Sequence, residues 1–478
     1  MLEVLMGMNR YKFLVGGESK NFTDMYTSSF EFDRTIAKYV AMVLLVHVRE
    51  LVKKKLIEIN SAKAIIRELV DIAISNGEKL YSWAKNRGEV YEDIFEALEL
   101  YLYDLVGPDA GRIAVGRSRN DHIATVLRLA LRDKVLDVIY KILGIRKILI
   151  DKALEYKDKI FPFYTHAQVA QCGSAAQYFL AYEQAFTDIY MMLMHSLNYL
   201  GKNPLGSGAA TGSMVQLNLT EISEELCLSA ETLPPYYATG SRLFLLYVLS
   251  LLSLAMSEIG RFVEDMILLA NVLQQGVEIA KHHVSTSSIM PHKRNLVTLE
   301  IARAKASKVL GSLSALISIY KSVPYGYNLD FQEMNFIAFE AIKDVEETFE
   351  IVKDFIAMLG FKEDVVKDYL KDKPCWSSDL IEYIAITAGK PVRELYAELA
   401  KALQKHLVGG DDSLKQFLAR YGIEKEEIIS LYRVKPFEKS LDQIIDHALK
   451  RLQENFKEVE QVNVDLKRCN EMLIRDYR

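Results

Sequence analysis

Residues 241–274 read SRLFLLYVLSLLSLAMSEIGRFVEDMILLANVLQ. No proline interrupts them, and through the first four turns apolar residues run nearly all the way round a helix. Such a helix must be covered on every side, which places it at the centre of a bundle. Its most apolar run, Leu243 to Met256, falls short of the roughly 18 residues of a membrane span and is followed by Glu258 and Arg261. The run therefore predicts a buried bundle helix.

Similar stretches lie on either side. Residues 121–157, 173–200, 296–321 and 335–359 contain no proline. The whole chain has 10 prolines in 478 residues, where average usage near 5% would give roughly 24. A chain that avoids helix breakers is mostly helix. In the N-terminal hundred residues, 33–56, 61–74 and 91–105 carry apolar residues at three- and four-residue spacing, joined by polar turns such as Ser75-Asn76-Gly77. After Lys371-Asp372-Lys373-Pro374 the composition becomes more charged and the helices shorter. The reading is an all-α fold in three parts: an N-terminal helical domain (1–110), a central bundle of long helices (111–360) and a C-terminal helical domain (361–478). So many apolar stripes in one chain also predict burial against further copies, a homo-oligomer.

Charge and cysteine content narrow the function. The chain has 59 Lys+Arg against 64 Asp+Glu, a net of −5, and half its residues are hydrophobic. That is no basic footprint for nucleic acid and no disordered composition. The four cysteines, Cys172, Cys227, Cys375 and Cys469, form no C-x-x-C pair. The pattern excludes a cysteine-rich zinc site and argues against a disulfide framework, as in a reducing cytosol. Met1 to Phe13 lacks a signal-peptide pattern. The expectation is a cytoplasmic protein with a small-molecule substrate, binding neither nucleic acid nor membrane.

Four segments interrupt the monotony of the long helices. Gly116-Arg117-Ser118-Arg119-Asn120-Asp121-His122 precedes helical spacing, which puts Ser118 or Asn120 near an N-cap, and two arginines at a helix N-terminus suit a carboxylate or phosphate. By itself this is equally a capping turn with solvated arginines. Tyr164-Thr165-His166-Ala167-Gln168 surrounds a histidine with hydrogen-bonding groups, although an isolated histidine is more often structural. Leu205-Gly206-Ser207-Gly208-Ala209-Ala210-Thr211-Gly212 lets backbone approach a ligand but lacks the features of a P-loop or a dinucleotide site. The most informative is Ser285-Thr286-Ser287-Ser288-Ile289-Met290-Pro291-His292-Lys293-Arg294-Asn295, a serine-rich loop with cations and an amide between two apolar helices. Apolar Ile289-Met290-Pro291 at its middle sets it apart from a plain soluble connector.

Taken together, these segments resemble the argininosuccinate lyase branch of the fumarase/aspartase superfamily. That superfamily shares a G-S-S-x-M-P-x-K-x-N loop, and this branch adds T-G-R-S-R-N-D and Y-T-H-x-Q. Tyr26-Thr27-Ser28-Ser29 with Asp33, Glu92-Asp93-Ile94, Tyr327-Asn328-Leu329-Asp330-Phe331-Gln332-Glu333 and residues 376–394 are similar to further family segments. The resemblance implies a three-domain fold assembled as a homotetramer around a twenty-helix core, with each active site shared by three subunits. It also implies reversible cleavage of argininosuccinate to arginine and fumarate, the last step of arginine biosynthesis, without metal or organic cofactor.

The reaction explains the residue types. A proton leaves the carbon beside a carboxylate, giving a carbanion that fixed donors and cations must stabilise, and an acid protonates the departing guanidino nitrogen. By resemblance Ser287 is the base, activated by Lys293 and the loop amides, and Asn295 binds the same carboxylate. His166 acts as or orients the acid, paired with Glu300. Ser118, Arg119 and Asn120 hold the fumarate-end carboxylate and the arginine backbone groups with Thr165 beside them, Ser29 also binds substrate, and Tyr327 and Gln332 contact the arginine portion.

The chain departs from the family at several of these places. Thr286 replaces the loop glycine, and His292-Lys293-Arg294-Asn295 is the form adenylosuccinate lyases show. Val115, Phe95, Val169, Cys172 and Asn335 replace a threonine, a histidine, an arginine, a proline and a lysine, and the N-S-x-x-x-x-S-D-R-D segment survives only in part over 234–243. Elimination machinery intact beside an altered amine end leaves two alternatives: adenylosuccinate lyase or another fumarate-releasing C–N lyase, and a catalytically silent structural or binding homologue.

Overall fold

The computed structural model describes residues 21–231, 233–409, 412–423 and 440–475; the segment 1–13, read above for a leader, lies outside them. Among the described residues the α-helices of eight or more residues are α1 Ala37–Lys53, α2 Ile59–Ile74, α3 Glu78–Arg87, α4 Ile94–Val106, α5 Arg119–Glu155, α6 Ala175–Leu200, α7 Leu243–Leu273, α8 Val297–Tyr320, α9 Asp330–Met358, α10 Glu363–Leu370, α11 Ser377–Ala388, α12 Val392–Gly409, α13 Ser413–Arg420 and α14 Leu441–Arg475. The fold is all-α, as the sequence predicts, and each proline-free stretch is one helix. Two short antiparallel pairs are added: β1 Ile160–Thr165 with β2 Gln168–Ser174, and β3 Val277–Glu278 with β4 Gly360–Phe361.

The five longest central helices pack on one another, α5 on α6 and α9, α7 on α6 and α8, α8 on α9. Leu249, Leu252, Met256, Phe262 and Met266 of α7 are buried among them, each fully buried side chain of this size contributing about 1.5–3 kcal/mol. α7 is longer than its most apolar run. With the turn to Gly276 it is apolar and long enough, by composition and length, to cross a membrane, which corrects the expectation that it falls short. Its middle is nonetheless a core element. A second apolar cluster, with Leu380, Leu395, Leu399 and Phe417, forms among α11, α12 and α13.

α14 returns to the bundle and packs on α5. A buried ion network seats it. Glu183 of α6 accepts from Arg146 Nε of α5 at 2.9 Å and from Arg451 Nη2 of α14 at 2.8 Å, with Thr187 Oγ1 at 2.8 Å. Arg146 and Glu183 are almost wholly out of water.

The cysteines overturn the expectation of a disulfide-free chain. Cys172 is bonded to Cys375 and Cys227 to Cys469, and no cysteine is free. Partners 203 and 242 residues apart leave no local signal. Nor do the bridges assign an oxidising compartment, because intracellular proteins of hyperthermophiles form them too.

Two outcomes follow for stability. Glu183→Gln leaves Arg146 buried against a neutral partner and is expected to cost about 3–5 kcal/mol, read as a shift of the denaturant midpoint. The non-reduced chain is expected to show no thiol by thiol titration, and reduction to lower its stability by roughly 2–5 kcal/mol per bridge; free thiols before reduction would contradict the pairing.

Candidate active site

The sequence-predicted residues fall into three groups. The first gathers at the start of α5. Ser118 is its N-cap: its hydroxyl accepts the Asn120 N–H at 3.2 Å, and the Asp121 carboxylate accepts the Ser118 N–H at 3.0 Å, a reciprocal cap. Arg119, the first helical residue, lays its guanidinium on the Asp93 carboxylate. It also donates Nη2 to Gln332 Oε1 at 2.8 Å and Nη1 to the Tyr327 hydroxyl. Gln332 Nε2 in turn donates to the Thr27 carbonyl at 3.1 Å. Ser29 is buried beneath, its hydroxyl donating to Asp33 Oδ2 at 2.9 Å, an oxygen that also takes the Ile94 N–H at 3.1 Å.

The same helix start meets the small-residue loop. Gly208 N–H donates to Asp121 Oδ2 at 3.0 Å, and Asn120 Nδ2 donates to the Ala209 carbonyl at 3.2 Å. Two motifs some ninety positions apart thus share one wall (the hydrogen-bonded residues are separated by 87 and 89).

The second group is the tip of the β1–β2 hairpin. Thr165 pairs with Gln168, so His166 and Ala167 are the two central turn residues, with φ of 52° and 59°. Positive φ at both is the pattern of a type I′ turn, which favours Asn-Gly. A histidine and an alanine there cost about 1–2 kcal/mol each. The hairpin is held below its tip by the Cys172–Cys375 bond and by Gln171 Nε2, which donates to Ser378 Oγ and Asp379 Oδ1, both at 3.1 Å. Thr165 and His166 stay exposed.

The third group is the loop 285–295. Its ends are pinned by Ser285 N–H to the Asn295 carbonyl at 2.9 Å and Asn295 N–H to the Ser285 carbonyl at 2.8 Å. Within it the Ser287 hydroxyl oxygen accepts the Ile289 and Met290 N–H groups at 3.4 and 3.2 Å. Lys293 is exposed on the loop, and Glu300 is exposed in the first turn of α8. Among the described residues no hydrogen bond or ion pair joins His166 to Glu300, or either of them to Ser287, Lys293 or the Arg119 network.

Sequence reasoning missed Asp93 and Asp33 as parts of the site, although both stand in the quoted segments. The available signal was a physical one: an arginine half-buried at a helix N-terminus needs a carboxylate. The Thr27 carbonyl carries no such signal, since any residue offers one.

Asp33 is almost fully buried. Desolvation, and then the Asp93 carboxylate, push its pKa up to about 7, against the pull of the Ile94 N–H, Ser29 and Arg119. The native chain therefore holds a proton that the unfolded chain has lost between pH 3.8 and about 7. Stability from this group falls as pH rises through that window. Asp33→Asn, which keeps an acceptor for the Ile94 N–H, is expected to flatten the pH dependence of the denaturant midpoint there; an unchanged slope would mean that Asp33 is ionised throughout.

Comparison with known proteins bears on the same segments. The sequence profile of the lyase family matches residues 15–311. The argininosuccinate lyase of Sulfurisphaera tokodaii is 39% identical over 388 residues, 81% of this chain and 83% of that protein. That of Pyrococcus furiosus is 34% identical over 448 residues, 93% and 96% of the two chains. Among solved structures, an EDDS lyase variant with bound fumarate is similar with a TM-score of 0.82 at 18% identity, over 96% of this chain and 95% of that one, a likeness of fold alone. The chain belongs to this lyase family and, within it, to the argininosuccinate lyases.

Proposed function

We propose that this chain cleaves argininosuccinate reversibly to arginine and fumarate, the closing step of arginine biosynthesis. Its similarity to argininosuccinate lyases along most of its length carries the reading. Ser287 is the base: two amide N–H groups already point at its hydroxyl oxygen, which favours negative charge there, and Lys293 adds a cation. Lys293 and Asn295 stabilise the carboxylate beside the forming carbanion. His166, paired with a Glu300 brought by another subunit, delivers the proton to the leaving nitrogen. Ser118 and Asn120 receive the substrate at the positive end of α5. Arg119 braces Tyr327 and Gln332, through which the arginine portion is gripped, and Thr165 lines the approach; Ser29, buried and bonded to Asp33, supports this wall from behind instead of touching substrate.

The chain works as a homotetramer whose sites are completed between subunits. Two observations support this. The hairpin, the loop and the Arg119 network each present polar groups with no contact among the three. Leu243, Leu254 and Leu268 of α7, Ile301, Leu310 and Ile317 of α8, and Ile351 and Met358 of α9 are large apolar side chains left exposed on the same central bundle.

The His292-Lys293-Arg294-Asn295 form of the loop favours one second reading, release of fumarate from adenylosuccinate. Ultraviolet detection of fumarate with each substrate decides. Argininosuccinate alone is expected to turn over; adenylosuccinate alone would reassign the amine side, and silence with both would leave a non-catalytic homologue. Ser287→Ala is expected to lower turnover about 10²–10⁴-fold while the oligomer and its melting temperature stay as they were. Activity surviving that change would place the base elsewhere.

A further inference from the structure

Just before the loop, His282 and His283 close the short 3-10 turn Lys281–His283 and face Asp354 on α9. His282 Nε2 lies 2.6 Å from Asp354 Oδ2, and His283 Nε2 lies 3.2 Å from the same oxygen. One ligand atom from each residue lies within 4.8 Å of the other two. The environments differ. His283 is 1% exposed and rests edge-on against Phe355, whereas the His282 and Asp354 side chains are 59% and 49% exposed.

Hydrogen bonding holds the His283 ring. Its Nδ1 lies 2.9 Å from the Thr298 hydroxyl, which also reaches the His283 carbonyl at 3.4 Å. In the tautomer that donates Nδ1–H to Thr298, Nε2 offers a lone pair. That nitrogen is buried, has no hydrogen-bond partner and points at a carboxylate oxygen, another acceptor.

We propose that His282, His283 and Asp354 form a three-ligand binding site for a divalent transition-metal ion of the zinc class. Two imidazoles and one carboxylate suit such an ion, whereas calcium and magnesium prefer oxygen alone. The bond from Nδ1 to Thr298 is the outer contact that orients a ligating histidine. Tetrahedral zinc places its ligand atoms about 3.3 Å apart. The His283–Asp354 pair already has that spacing, and the exposed His282 side chain is free to turn so that its own distances to Asp354 and His283 match it. The exposed side of the cluster leaves the fourth position to water. The ion ties the residues immediately before Ser285 to α9, so it clamps the root of the loop without entering the reaction.

The test uses the untagged full chain, stripped with a chelator and titrated with Zn²⁺ by calorimetry and with Co²⁺ by visible absorption. One ion per chain, four- or five-coordinate Co²⁺ bands and a raised melting temperature are expected. His282→Ala and Asp354→Ala alter exposed side chains and should leave the metal-free melting temperature near that of the parent. Each is expected to weaken binding at least about tenfold and to remove the Co²⁺ bands. No binding by the parent chain, or undiminished affinity in both variants, overturns the site. None of these readouts depends on which substrate the chain cleaves.

Discussion

The Asp121 carboxylate holds the site's fixed end together. It sits one turn inside the longest helix, out of water, with the Ser118 N–H on one oxygen and the Gly208 N–H on the other. Burial pushes its pKa up to about 6, and the backbone donors pull against that rise. These two bonds seat the small-residue loop against the N-terminus of α5. The fit demands glycine at 208, where φ is 56° and a Cβ would stand 2.4 Å from the Gly212 carbonyl oxygen. With the helix start fixed, Arg119 has one direction in which to reach, toward Asp93, Tyr327 and Gln332.

The helical architecture was legible because its signals are local. Each long helix carries its own apolar spacing and lacks proline, so 121–157 and 173–200 needed no knowledge of their neighbours. Where structure depends on distant partners, the sequence was mute. The hairpin 160–174 gave no signal because its turn reads His-Ala where Asn-Gly would have announced it. Helix α3 went unnoticed behind the polar turn at Asn76-Gly77. The disulfides were misjudged by an argument from compartment, which says nothing of whether Cys172 and Cys375 lie side by side. At the site, the motif residues could be named individually, but not which carboxylate would meet which arginine.

One departure from the family pattern acquires a structural meaning. Cys172 stands where the family pattern quoted from the sequence has proline, and in this chain it is bonded to Cys375 at the base of the hairpin that presents His166. The tip pays for two residues at positive φ, and a strained turn keeps its shape only if its surroundings over-determine it. The covalent tie and the Gln171 bonds to Ser378 and Asp379 supply that restraint. The substitution therefore exchanges one stiffening device for another, since a proline limits the backbone directly and the bridge limits it through a partner.

The two halves of the proposed site are held with unequal firmness, and the inequality suits the chemistry. The Arg119 network is cross-braced by the buried Asp93 carboxylate, by Tyr327 and by Gln332, itself bonded to the Thr27 carbonyl, so the proposed substrate-gripping end is pre-organised. The loop 285–295 is pinned at its ends and bonded within itself through Arg294 Nη1 to the Pro291 carbonyl at 2.8 Å, while its serine is held by two amide N–H bonds of 3.2 and 3.4 Å, near the long limit for hydrogen bonds. Ile289 at its crest is 84% exposed, an apolar side chain with nothing of its own chain to cover it. A base that must meet an acidic carbon, exclude water while the carbanion exists and then release fumarate gains from such a mount. Thr286 in place of the loop glycine narrows the range of that movement, since a threonine cannot follow glycine into positive φ at low cost. On the proposed assignment the braced end sets what is bound, and the loop sets when the proton is taken.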